Sequence, residues 1–131
     1  MKNNEFEIIV VVRELGKKRP EFHIKFAVPQ LPRVGDYISI YRPDSERYSE
    51  DVIVRAVWWE LQHPESGGSA SGAEKVGKCL DIMVECDRAE GPSAGDRWRD
   101  SAAAARTRGI EVPKFEVDRI SFREGERKPS R

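Results

Sequence analysis

Asp51-Val-Ile-Val-Arg-Ala-Val-Trp-Trp-Glu-Leu-Gln62 is apolar on both of its alternating faces, and its Val, Ile and Trp content is that of a strand. A strand covered on both sides belongs in the middle of a sheet, so this run predicts the longest and most central strand. Successive strand side chains leave on opposite faces, so Trp58 and Trp59 cannot share one core. On strict alternation Trp59 shares its face with Ile53, Val57 and Leu61, and Trp58 shares its face with Val52, Val54, Ala56 and Glu60. Either another layer covers the second indole or that indole is left for an interface, where tryptophan beside aliphatic residues is a typical anchor. The expectation is a protein-protein interface made by Trp58, Trp59, Val57 and Leu61, with a homodimer as its simplest form.

The flanking sequence extends the β pattern. Phe6, Ile8, Val10 and Val12 alternate with Glu7, Ile9 and Val11; Phe22, Ile24 and Phe26 alternate with His23 and Lys25; Tyr37 to Tyr41 follows a Pro/Gly-rich connection. Arg42 to Glu50 reads as a polar loop. His63 to Glu74 has a flexible-linker composition and is expected to be a mobile hairpin loop over 63–75. After it Leu80, Ile82, Val84 and Cys86 alternate with Asp81, Met83 and Glu85. Ser93 or Asp96 is positioned to cap a helix over about 94–108 that Gly109 stops, with Trp98, Ala102 and Ala105 as a narrow apolar stripe. Phe115, Val117, Ile120 and Phe122 predict a last strand, and the polar 124–131 a disordered tail. The fold class is mainly β (α+β): one domain over 1–123, a small antiparallel bent sheet or SH3-like barrel of about six strands, with one helix before the last strand.

Val34-Gly35-Asp36-Tyr37-Ile38-Ser39-Ile40 resembles the turn-and-strand signature of SH3-like barrels, including KOW-type modules that bind RNA or proteins in translation and transcription. The resemblance spans fewer than ten residues and implies a small barrel, not a function. Physically, glycine permits the tight turn and aspartate caps it.

Composition narrows the chemistry. With 12 Val and 9 Ile against 4 Leu in 131 residues, the chain favours strands, and 23 basic against 23 acidic side chains disfavour a dedicated polyanion binder. Nucleic-acid binding by a local basic surface remains as an alternative: Arg97, Arg99, Arg106 and Arg108 flank the helix stripe, and Lys17-Lys18-Arg19 forms a turn. A second alternative is a small-molecule pocket in the barrel mouth, lined by Tyr37, Tyr41 and Trp58 and gated by loop 63–75. The sequence carries no G-x-S-x-G, H-E-x-x-H, C-x-x-C or nucleotide-binding glycine fingerprint, so no catalytic residue and no cofactor is expected. His23, His63, Cys79 and Cys86 are too scattered to suggest a metal site. The acids Asp36, Asp44, Glu46, Glu50 and Asp51 read as a solvated rim paired with Arg42, Arg47 and Arg55. Cys79 and Cys86, seven apart in a strand, point to opposite faces and cannot pair with each other. No signal-like or membrane-spanning segment is visible, which points to a cytosolic protein without membrane contact.

Overall fold

The alternating runs between residues 6 and 88 fold into five strands: β1 (Phe6–Arg13), β2 (Pro20–Val28), β3 (Tyr37–Arg42), β4 (Ser45–Gln62) and β5 (Lys78–Arg88). One helix, α1 (Asp96–Thr107), follows. This computed structural model describes residues 5–43, 45–64 and 75–116, with side chains described at all of these except 45–48. Most of the expected last strand, the interior of the 63–75 loop and the 124–131 tail lie outside the described residues.

The strands form one sheet in the order β2-β1-β5-β4-β3, curled into a half-barrel. Three of its pairings are antiparallel, but β1 and β5 run parallel, so the sheet is not the purely antiparallel one expected from the hairpin-like spacing. Ile8, Val10 and Val12 of β1, Val52 and Val54 of β4, Ile82, Val84 and Cys86 of β5 and Ile40 of β3 make the buried core, with Phe22, Phe26, Ile38 and Val57 packed against it. Burial pushes the Cys86 thiol up to about 12, an effect that Asp87 and Glu85 reinforce.

Two readings of β4 need correction. Its N-terminal part lies in the predicted polar loop, because Ile40 pairs with Glu50 and Tyr41 with Ser49. Backbone pairing at a sheet edge does not require apolar side chains, and the Arg42–Glu50 ion pair spans the two strands there. The second correction concerns phase. Val54 pairs with Cys86 and Ala56 with Glu85, so Arg55 is the extra residue of a β-bulge. The bulge shifts the alternation by one residue, placing Trp59 on the core side with Val52, Val54 and Val57 and Trp58 on the outer side with Ile53.

The turn before β3 behaves as its composition suggests. Gly35 adopts φ 97°, and the Asp36 carboxylate accepts a hydrogen bond from the Arg33 amide at 2.9 Å. The helix begins at Gly95 without a side-chain cap, so neither Ser93 nor Asp96 caps it. It ends in a Schellman motif in which the Gly109 and Ile110 amides donate to the Arg106 and Ala105 carbonyls and Gly109 takes φ 87°. Ala102 and Ala105 are fully buried against Leu15, Ile110 and Val112, and the Trp98 indole donates to the Ala89 carbonyl at 2.7 Å. The stripe therefore seats the helix on the β1–β2 turn and the exit of β5.

Two buried acids fix this end of the molecule. Asp51 accepts from the Ser39 hydroxyl (2.7 Å), the Ser49 hydroxyl and the Gly91 amide (2.9 Å), tying β3 and β4 to the chain leaving β5. Gly91 is required there because a Cβ would stand 2.7 Å from the Asp51 carboxyl carbon. Glu90 meets Arg99 at 2.9 Å and Arg106 at 3.0 Å, two turns apart on one side of α1.

Candidate interaction surface

β1 covers β5 only over Met83–Cys86, and β3 covers β4 only as far as Ile53. Beyond those points β4 and β5 continue as a two-stranded arm, Trp59–Gln62 against Lys78–Ile82, with Trp58 opposite Met83 at its base and, among the described residues, no strand on either flank. A two-stranded ribbon is barely stable by itself, so its base must be held by the sheet. Its apolar side chains stand largely in solvent: Trp59 is 50% exposed, Leu61 68% and Leu80 54%, with Trp58 at the base 65% and Val76 at the tip 91%.

The two faces of the arm differ. On the core side Val57 faces Val84, Trp59 faces Ile82 and Leu61 faces Cys79, extending the apolar core outward. On the outer side the cross-strand rows are Trp58–Met83, Glu60–Asp81 and Gln62–Lys78. A second bulge, at Leu80, keeps Lys78 in phase with that outer face. Of the expected interface residues, Trp59, Val57 and Leu61 share the core side, Val57 is half-buried, and Trp58 stands alone on the outer side.

The basic residues are not brought together. Arg99 donates to Glu90 and to the Ala94 and Pro92 carbonyls, and Arg106 holds Glu90 and the Val112 carbonyl. These two guanidinium groups are therefore committed to contacts within the protein and are not open to the phosphates of a nucleic acid. Lys17 and Arg19 both pair with Glu14, whose carboxyl they hold below the usual carboxylate range, while Arg97 and Arg108 remain exposed on the helix. A polar cleft of about 370 Å³ beside this turn is crossed by ion pairs of Asp87 with Arg13 (2.7 Å) and Arg55 (3.0 Å). The bond to Asp87 raises Arg13 above the usual guanidinium value.

The expected ligand pocket is also divided. A groove of about 500 Å³ runs between β1–β2 and β3, lined by Ile8, Val10, Phe26, Leu31, Ile38 and Ile40. Tyr37 and Tyr41 belong to its β3 wall, although the Tyr37 ring stacks edge-on against Phe115 at 5.2 Å. Trp58 stands at the base of the arm and does not line the groove, and neither do His63, Pro64 and Lys75, the described residues of the loop expected to gate it.

Of the acidic rim, Glu50 pairs with Arg42 as expected, but Asp51 is buried on serines instead of an arginine; Asp44 is outside the described residues and nothing is described of the Glu46 and Arg47 side chains. Among the described residues no three His, Cys, Asp or Glu side chains converge as metal ligands, and both cysteines are free, Cys79 exposed and Cys86 buried. No helix among the described residues is long and apolar enough to cross a membrane.

No protein-family profile, curated protein or solved structure matches this chain. Its chemistry is read from its own geometry.

Proposed function

We infer that this protein works without catalysis of its own, as an interaction module whose working surface is the β4–β5 arm. The observation that carries the reading is the exposure of both indoles, 65% and 50%, where β4 has run past β3. Burying a tryptophan removes on the order of 200 Å² from water, so exposed indoles on a projecting element favour association. Self-association is the simplest form. The free thiol of exposed Cys79 suits a reducing compartment, which supports the cytosol as the place of action. The test is absolute mass by light scattering through a dilution series. The expected result is a species of twice 14.9 kDa that dissociates on dilution. A mass of one chain throughout the series overturns self-association.

The apolar groove supports a second reading, binding of a hydrophobic small molecule between β2 and β3. A fluorescent apolar dye should then bind the protein and lose affinity in Ile38→Asp. Equal binding to both proteins removes this reading. The basic-surface alternative has less support, since Glu90 and Glu14 engage four of its seven cations.

A further inference from the structure

The outer face of the arm carries an unusual charge arrangement. Glu60 and Asp81 are direct cross-strand neighbours, and like charges in that position repel. Neither has an ion-pair partner among the described residues, and nor does Lys78, one row nearer the tip. A chain with as many basic as acidic residues leaves this acidic row unneutralised, beside a solitary base, on its most exposed apolar element.

The spacing allows a second copy to neutralise both. The rows Trp58–Met83, Glu60–Asp81 and Gln62–Lys78 follow one another at about 7 Å, two residues of strand rise. When two arms lie face to face and antiparallel, with the two-fold axis midway between the second and third rows, each acidic row meets the other copy's Lys78. The first row then overhangs the other copy's tip. The exposed Val76 lies at that tip. Each copy then offers the same rows to the other, as an isologous interface requires.

The geometry points to a second copy of this chain as the arm's partner, docked antiparallel through the outer face, with Glu60 and Asp81 on the second copy's Lys78 and Trp58 over its tip. This rests on the reading of the arm as the working surface and adds to it the partner, the face and the register.

Lys78→Glu and the double variant Glu60→Lys/Asp81→Lys test it by sedimentation velocity at low ionic strength, with circular dichroism to confirm folding. Each variant alone places like charges across both contacts and should raise the dimer dissociation constant at least about tenfold. Mixed in equal amounts they restore opposite charges at both contacts, so a mixed dimer of near wild-type affinity should form. Dimers of either variant as tight as wild type, or a mixture that stays monomeric, overturn the register. A wild-type dimer that Trp58→Ala disperses while both charge variants leave it intact overturns only the register and keeps the arm as the interface. A monomeric wild-type protein overturns the second copy as partner.

Discussion

β4 and β5 pass through two environments, and the same pair of strands behaves differently in each. In the body, with β1 and β3 alongside, Val52, Val54, Val84 and Cys86 are fully buried, and the acid that enters, Asp51, is bound by two hydroxyls and an amide. In the arm, aromatic and aliphatic side chains of equal hydrophobicity stand in water, and Glu60 and Asp81 face each other without a base. Side-chain chemistry is similar in the two halves. What differs is the presence of flanking strands, so burial here is a property of topology more than of local sequence.

The contrast can be broken most forcefully at Asp51. Asp51→Ala leaves two hydroxyls and the Gly91 amide without an acceptor in a dry site, and urea unfolding should show a loss of roughly 3 kcal/mol. Trp58→Ala in the arm should cost the isolated monomer less than about 1 kcal/mol, because its indole has few partners to lose. A loss as large as that of Asp51→Ala would mean that the arm is as consolidated as the body. Hydrogen exchange on the same Trp58→Ala protein sharpens the comparison: arm amides of residues 59–62 and 78–81 should exchange through local opening, while those of Val54 and Val84 should require global unfolding.

The thiols report the same division. Cys79 should react with a thiol reagent in the native protein, and Cys86 only on unfolding. Because the folded Cys86 thiol is raised, the unfolded chain loses its proton first. Stability attributable to this group is complete below about 9 and lost as pH climbs toward about 12. Cys86→Ala should flatten that alkaline decline in denaturation midpoints measured across the window. The smallest effect is expected from Glu14→Gln, which removes an exposed ion-paired carboxylate and should leave the midpoint at neutral pH unchanged within error.

Much of this division was legible in the sequence, though not its phase. Alternation located the five strands, and Gly109 with the Trp98/Ala102/Ala105 stripe located the helix and its buried side. Strict alternation failed at Arg55, because a bulge is a property of the paired strand and leaves no mark in a run of Val, Arg and Ala. That single residue moved Ile53 to the side of Trp58 and Val52 to the side of Trp59. The parallel β1–β5 pairing was equally invisible, since no local signal fixes a contact between strands so far apart. The seven-residue spacing of Arg99 and Arg106 did place both on one side of the helix, but the sequence does not say that they converge on an acid and not on solvent. Nothing marks Ser39 and Ser49 as the partners of Asp51, because hydroxyls are equally at home on a surface.

The parallel pairing also orders events during synthesis. Arg13 and Asp87, linked at the end of the β1–β5 ladder, lie 74 residues apart. The β1–β2 hairpin therefore leaves the ribosome well before its inner neighbour has been made. At about 5–20 residues per second the delay is on the order of 4–15 s. For that interval the apolar side of Ile8, Val10 and Val12 is an open sheet edge in a crowded cell. The protein's exposure to chaperones and to misassembly is set by the position of β5 in the gene, before any property of the finished fold applies.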